Sequence, residues 1–351
     1  MENEIGTFTT CDLFAGVGGI RLGFEKAGFK SVFANDFDKT CKETYDLNFT
    51  EPKLLVQDIW KVHTKEIPDF DILLAGFPCQ AFSIAGYRKG FRDEKGRGNL
   101  FFRIAEILEE KKPQSFMLEN VKNLQGHDQG KTFKIIKETL EKLGYHIKSK
   151  VLNSMTHGNI PQNRERIFIV GFLDEEKTVA FEFPDEIPLE KNFRMFTTEK
   201  TDKKYYYNDK PLYERIKNDI HSEYAVYQWR RKYVRTNKKG VVPTLTANMG
   251  MGGHNVPIIK NTIGVRKLTP KECFLLQGFP EKFKLPENIA DNHLYHQAGN
   301  SVTVPVVQRI AENIKAVLEG KKLSLQEKPI FISSHAPKSS ELSIQNSYRQ
   351  D

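Results

Sequence analysis

Pro78-Cys79-Gln80 carries the most pointed chemistry in the chain. The apolar run Asp71-Ile72-Leu73-Leu74-Ala75-Gly76-Phe77 before it reads as a buried strand. The stretch after it, Ser83 to Gly98, is loop-like and rich in glycine and basic residues. A free cysteine taken alone is more often a buried hydrophobe than a nucleophile. A lone thiol at a strand end, with Pro78 fixing the turn and a basic loop following, suits a nucleophile better. Glu119-Asn120-Val121 closes another apparent strand, and Gln162-x-Arg164-x-Arg166 comes later. Glu119 could cap a helix or pair with a cation. At the end of its own strand it would instead share a crevice with Cys79, where a low dielectric can hold a carboxyl protonated as a hydrogen-bond donor. Strand alternation would put Arg164 and Arg166 on one face, against a shared anion or carbonyl. A thiol, an acid and two arginines together suggest attack on a nitrogen heterocycle.

These residues need a frame that brings strand ends together. Strand and helix patterns alternate through the first half of the chain. Strands are expected over Phe8 to Phe14, Ser31 to Asn35, Leu54 to Gln57, Asp71 to Gly76, Gln114 to Leu118, Tyr145 to Leu152 and Arg166 to Phe172. Helices are expected over Ile20 to Ala27, Lys39 to Leu47, Asn99 to Lys111 and Thr132 to Leu143. The alternation predicts an α/β fold with a doubly wound, mainly parallel sheet. The pattern breaks near Ala180, and Phe181 to Asn261 reads as a smaller, loop-rich second domain. Leu268-Thr269-Pro270-Lys271-Glu272 looks like a capped helix start. Val302, Val306, Ile310, Ile314 and Leu318 then recur every fourth residue. That helix needs an apolar surface, and the uncovered flank of the first domain offers one. The expected division is 1–180 for the sheet domain that would hold the site and 181–290 for the second domain. Residues 291–320 would return to the first domain, and 321–351 would form a polar tail.

Composition is that of an ordinary globular protein, with 39% hydrophobic and 28% charged residues. The longest apolar runs fall short of a membrane span, and the acidic, polar start Met1-Glu2-Asn3-Glu4 is unlike a secretory signal. A cytoplasmic location is therefore expected, with no membrane partner. Cys11, Cys41, Cys79 and Cys273 form no Cys-x-x-Cys pair, so neither a metal site nor a disulfide framework is expected. The net charge of +8 hints at a polyanionic partner. Its distribution says more than its size. Arg230, Arg231, Lys232, Arg235, Lys238 and Lys239 cluster without an acid, beside Trp229 and Tyr233. Arg88, Lys89, Arg92, Lys95 and Arg97 cluster beside the candidate nucleophile. A charge run is usually a solvated face, but two such segments fit phosphate contacts.

Asp12-Leu13-Phe14-Ala15-Gly16-Val17-Gly18-Gly19 occupies a strand-to-helix turn. Arg21 stands where a dinucleotide fingerprint needs its third glycine, and no Gly-Lys-Ser/Thr follows, so a nucleoside without a pyrophosphate fits better. Asp36 at the next strand end could accept from ribose hydroxyls. Phe37 could pack on an adenine, and Asp58 and Ile59 could flank the base. Ligands of open α/β sheets bind at such carboxyl ends.

Six ordered stretches now resemble one family. They are Asp12-Leu-Phe-Ala-Gly-Val-Gly-Gly, Gly76-Phe-Pro-Cys-Gln-Ala-Phe-Ser83, Glu119-Asn-Val121, Gln162-Asn-Arg-Glu-Arg166, Leu276-Gln-Gly-Phe-Pro280 and Gln297-Ala-Gly-Asn-Ser-Val302. Together they are similar to the DNA (cytosine-5)-methyltransferases of bacterial restriction–modification systems. The likeness covers about residues 8–173 and 264–318. It implies a Rossmann-like fold that uses S-adenosylmethionine. It makes Cys79 the nucleophile at cytosine C6, Glu119 the group that protonates or hydrogen-bonds N3, and Arg166 the arginine near O2, supported by Arg164. It implies cofactor contacts at Phe14, Ala15, Gly16, Val17, Asp36, Phe37, Asp58, Ile59, Pro78, Leu100, Asn300, Ser301 and Val302. Asp36 and Phe37 depart from the family's usual Glu and Trp while keeping the chemistry.

Because the target atom lies inside a duplex, the base must be swung out. Ala81 to Arg97 resembles the family's mobile loop, whose Ser83, Arg88, Lys89, Arg92 and Arg97 would reach DNA. Arg230, Arg231, Arg235, Thr244, Thr246 and Asn248 are the expected contacts of the second domain. Tyr227 through Pro257 resembles recognition domains that read short palindromes beginning GG and ending CC. The implied partner is double-stranded DNA, bound by a monomer, with a cognate restriction endonuclease acting separately. Binding should fall with salt by a log–log slope of roughly −0.9 per neutralised phosphate. An RNA-cytosine methyltransferase on the same core is disfavoured by the long insertion, and a non-catalytic paralogue by the intact Cys79, Glu119 and Arg166. A Rossmann oxidoreductase fails on Arg21.

Overall fold

The computed structural model describes residues 6–78, 100–237, 239–251 and 256–321. Seven strands form the main sheet: β1 (Thr9–Leu13), β2 (Lys30–Asp36), β3 (Leu55–Val56), β4 (Ile72–Gly76), β5 (Ser115–Val121), β6 (His146–Asn153) and β8 (Glu165–Phe172). Between β6 and β8 lies the two-residue β7 (Gln162–Asn163). The strand order is β3-β2-β1-β4-β5-β8-β6. Pairs β1/β2, β2/β3, β1/β4 and β4/β5 are parallel, while β8 runs antiparallel to both β5 and β6. The chain reverses direction across the sheet between β1 and β4, which is where such folds open a crevice at their carboxyl ends.

Alternating side chains send apolar groups to both faces, as a fully covered sheet requires. Leu73, Ala75, Phe116 and Leu118 pack with α3 (Leu100–Lys111) and α4 (Lys131–Lys142). Their neighbours Ile72, Leu74 and Met117 face the other way. There they meet α1 (Gly19–Lys26) and the last helix, Val304–Leu318. The stripe Val306, Ile310, Ile314 and Leu318 lies in that layer. The remaining helices are α2 (Lys39–Asn48), α5 (Ser154–Gly158), α6 (Glu175–Ala180), α7 (Pro211–Ile216), α8 (Pro270–Leu275) and α9 (Asp291–Asn300), which makes the last one α10.

The region read from sequence as irregular holds a second, four-stranded antiparallel sheet in the order β10-β9-β12-β13. Its strands are β9 (Val226–Trp229), β10 (Val234–Asn237), β12 (Ile258–Lys260) and β13 (Val265–Lys267). Strands of three or four residues carry too few alternations to stand out in a sequence. The second sheet is tied to the first: β11 (Val242–Pro243) pairs with β7, and one apolar core runs from Ala15, Tyr45 and Phe49 to Val226, Leu245, Leu268 and Tyr295.

Arg266 on β13 is fully buried and fastens this second sheet to α8. Its two terminal nitrogens donate to the Glu272 carboxylate at 2.8 and 2.7 Å, and one also reaches Thr198 O at 2.6 Å. Glu272 in turn closes the capping box of α8 with Thr269. Removing one partner of a buried pair strands the other charge. Glu272→Gln is therefore expected to lower unfolding free energy by about 3–5 kcal/mol, read from urea denaturation midpoints.

Candidate active site and recognition groove

A cavity of about 370 Å³ opens at the carboxyl ends of β1, β2, β4 and β5. The turn after β1 forms one wall. Phe14 there has a φ of 55°, a left-handed conformation that costs a non-glycine residue about 1–3 kcal/mol. Gly16 N donates to Asp36 Oδ2 at 2.8 Å, and Asp38 N donates to Asp36 Oδ1 at 2.8 Å. The Asp36 carboxylate thus ties the turn after β1 to the end of β2. Burial pushes its carboxyl up, and the backbone N–H groups of Asp38 and Gly16 pull it back. Phe37, 73% exposed, offers its ring at the rim.

Parallel pairing sets the opposite wall. Gly76 at the end of β4 lies beside Glu119 on β5, and Asn120 Nδ2 donates to Phe77 O at 2.9 Å as the chain leaves β4. Pro78 and Leu100 both line the cavity with Glu119. Arg166 on β8 brings its Nε to 3.1 Å from Glu119 Oε1. That approach is a charge contact only, since the N–H is not aimed at the oxygen and Oε1 has no hydrogen-bond partner. Burial pushes the Glu119 carboxyl above the usual carboxylate range, against the opposing pull of Arg166 and then Arg164. The site therefore holds a buried acid with a free oxygen beside a guanidinium.

Arg164 lines the same cavity but does different work from Arg166. It sits just before β8, two residues from Arg166, and both side chains reach the cavity. Its guanidinium donates to Leu245 O at 2.7 Å, Gly299 O at 3.2 Å and Ser301 O at 2.5 Å. Its terminal nitrogens position the walls, while its buried Nε has no hydrogen-bond partner. Gln162 assists, donating to Leu276 O at 2.8 Å and accepting from Leu245 N at 3.0 Å.

Asn300, Ser301 and Val302 supply the third wall. Gln297 of the same stretch joins them, as does His296, which the sequence reading did not single out. His296 Nδ1 lies 2.7 Å from Ala247 O, which can only accept, so Nε2 is free to take the Asn300 Nδ2 proton at 3.0 Å. The cue for His296 in the sequence was its place directly before the Gln297 to Val302 stretch. Gly299 permits the closeness of this wall: a Cβ there would fall 2.2 Å from the backbone of Thr246.

Asp58 and Ile59 are not among the residues lining the cavity. Asp58 is exposed and spends its carboxylate on Trp60 N at 3.1 Å, and Ile59 is buried in the core beneath α3. Cys79, Ser83, Arg88, Lys89, Arg92 and Arg97 lie outside the described residues.

A second, open groove of about 830 Å³ runs beside β9, β10 and β11. Arg230, Arg235, Thr244, Thr246 and Asn248 line it. Arg231 is exposed at the β9–β10 turn with a φ of 64° and is not part of the lining.

A family model described as "C-5 cytosine-specific DNA methylase" matches residues 8–316. The chain belongs to the C-5 cytosine-specific DNA methylases. Its activity is DNA cytosine-5 methylation of the restriction–modification kind. It is 56% identical to the type II methyltransferase M.Bsp6I of Bacillus sp. (strain RFL6), over 86% of this chain and 96% of that one. It is 38% identical to the type II methyltransferase M.HhaI of Haemophilus parahaemolyticus, over 88% of this chain and 95% of that one. Among solved structures, the fold matches a Spodoptera frugiperda DNMT2 mutant at a TM-score of 0.69 and 21% identity, over 88% of this chain and 100% of that one. The family uses S-adenosylmethionine, and its substrate is DNA. Among the described residues no helix is long and apolar enough to cross a membrane.

Beneath the methylase's glycine turn, Asp12 is fully buried and neither carboxylate oxygen has a hydrogen-bond partner. Burial pushes its pKa up to about 8, against the pull of Arg21. The raised value gives the direction of linkage. Below about pH 4 both folded and unfolded chains carry the proton and the full contribution is present. It is lost as pH rises to about 8, because the unfolded chain releases a proton that the folded one keeps. Asp12→Asn cannot titrate, so wild type should lose stability relative to this variant from about pH 4 to about pH 8 and run level above that. Denaturant unfolding across that range would check it, and parallel curves would contradict it.

Proposed function

We propose that the cavity receives a cytosine swung out of duplex DNA and brings it against the methyl donor, with Cys79 as nucleophile, Glu119 as acid and Arg166 as its partner. The carrying observation is the buried Glu119 carboxyl, raised by desolvation, with Oε1 unbonded in a cavity that Pro78 also lines.

Cytosine C5 is a poor nucleophile while the ring is aromatic. The Cys79 thiolate forms a bond to C6, the C5=C6 electrons move into the ring, and Glu119 delivers its proton to N3. The adduct is then a neutral enamine with a nucleophilic C5. The step requires a protonated Glu119, and burial shifts its carboxyl in that direction. Arg166 would meet the O2 carbonyl, where charge also builds. S-adenosylmethionine, when bound, supplies an electrophilic methyl group. Loss of the C5 proton afterwards restores the double bond, expels the Cys79 sulfur and returns the N3 proton to Glu119.

The cavity's chemistry suits that donor. Phe37 offers an exposed ring for an adenine, the Asp36 carboxylate lies beneath, and the buried Ser301 Oγ has no partner. Phe14, Ala15, Gly16, Val17, Pro78, Leu100, Asn300 and Val302 complete the holding set. Arg164 acts by position. Thr244, Thr246, Asn248, Arg230 and Arg235 would face duplex DNA from the second groove, with Arg231, Ser83, Arg88, Lys89, Arg92 and Arg97 as further phosphate contacts. The chain would act as a monomer, paired with a separately acting restriction endonuclease.

Purified protein, duplex DNA and labelled S-adenosylmethionine test the reading. Cys79→Ala should lose methyl transfer while keeping donor binding by equilibrium dialysis. Glu119→Gln, which cannot deliver a proton to N3, should lower kcat by about 10²–10⁴-fold. Wild-type turnover by either variant would defeat the assignment.

A further inference from the structure

We propose that Gln228 and Asn237 read base edges and help set the methylated sequence. The inference rests on the duplex-DNA reading of the second groove. The antiparallel register pairs Gln228 with Arg235 and Val226 with Asn237, so all four side chains share one face of the β9–β10 ribbon. The other face carries Tyr227, Trp229 and Val234 into the core. Gln228 and Asn237 both line the groove, between Arg230, Arg235 and Lys239.

Their hydrogen bonding sets them apart from the other polar residues there. Gln228 is only 8% exposed, and its Oε1 has no partner. Asn237 Nδ2 is buried and likewise has none. By contrast, Thr244 Oγ1 donates to Asn163 O at 2.6 Å, and Thr246 Oγ1 donates to Asn248 Oδ1 at 2.6 Å. The threonines and Asn248 have groups already engaged inside the protein. The two amides do not, and an unmet buried amide is a cost that a bound partner would remove.

The chemistry matches a base edge. An amide oxygen receives the amino group of cytosine N4 or adenine N6, and an amide nitrogen donates to guanine O6 or N7 or to thymine O4. The basic side chains around them would hold phosphates without reading sequence. Diagonal positions on an antiparallel ribbon lie about 7–8 Å apart. Base pairs stack at about 3.4 Å, so the two amides address different pairs of one short site.

The test uses the full chain and a duplex library randomised around the methylated cytosine, read by bisulfite sequencing. Gln228→Met and Asn237→Leu keep the side-chain size and remove the unmet polar atom. Each should fold with an unchanged or higher Tm. Each should relax discrimination at one position of the site, by about 5- to 150-fold. An unchanged site preference overturns the inference, including a rate that falls equally on every duplex. So does failure of both variants to fold, because the amides would then be structural. If wild type itself methylates no duplex, the broader reading fails instead.

Discussion

A carboxyl group held out of water at the end of β5 sets the terms for the site around it. Ionised and alone, Glu119 would be costly in that position; protonated, it is a donor waiting for an acceptor. Its place follows from strand pairing: β4 and β5 run parallel, so Glu119 and Gly76 reach the same rim together. The segment that carries Cys79 leaves from that rim through Phe77 and Pro78. Arg166 enters from β8, which runs the other way, so its strand begins where β5 ends. One antiparallel strand in an otherwise parallel neighbourhood thus brings a cation to an acid's free oxygen.

The two cavities are joined by a shared wall. Leu245, in the segment that borders the second groove, is held by Gln162 through its N–H and by Arg164 through its carbonyl. Ala247 is held by His296, and Thr246 rests on Gly299. Burial and the neighbouring Arg166 pull the Arg164 pKa down to about 9, with Glu119 opposing. That leaves the guanidinium charged at neutral pH, and three backbone carbonyls share the charge. The segment that borders the second groove is therefore fastened to the walls of the first cavity. Displacing one would move the other.

Much of this was legible because the signals were local. The stretches beginning at Asp12, Gly76 and Glu119 stand where a continuous apolar run gives way to polar or glycine-rich residues. The four-residue spacing from Val302 to Leu318 marked α10. Other features required coordinates. Arg164 and Arg166 both line the cavity, but nothing in their spacing shows that the terminal nitrogens of Arg164 are spent on three backbone carbonyls. Asp58 sits at a strand end like Asp36, yet its carboxylate turns back on its own backbone. The second sheet hid because its strands are short. Gln228 and Asn237 look like ordinary polar residues in sequence, and only the missing partners distinguish them.

The thiol is the central claim, and a duplex carrying 5-fluorocytosine at the target position tests it most directly. Fluorine cannot leave C5 as a proton does, so the sulfur cannot be expelled once the methyl group has been added. In the presence of S-adenosylmethionine the protein should become covalently joined to the DNA, and peptide mass analysis should find the adduct on Cys79. A Cys79 peptide of unmodified mass, or an adduct on another residue, would contradict the account.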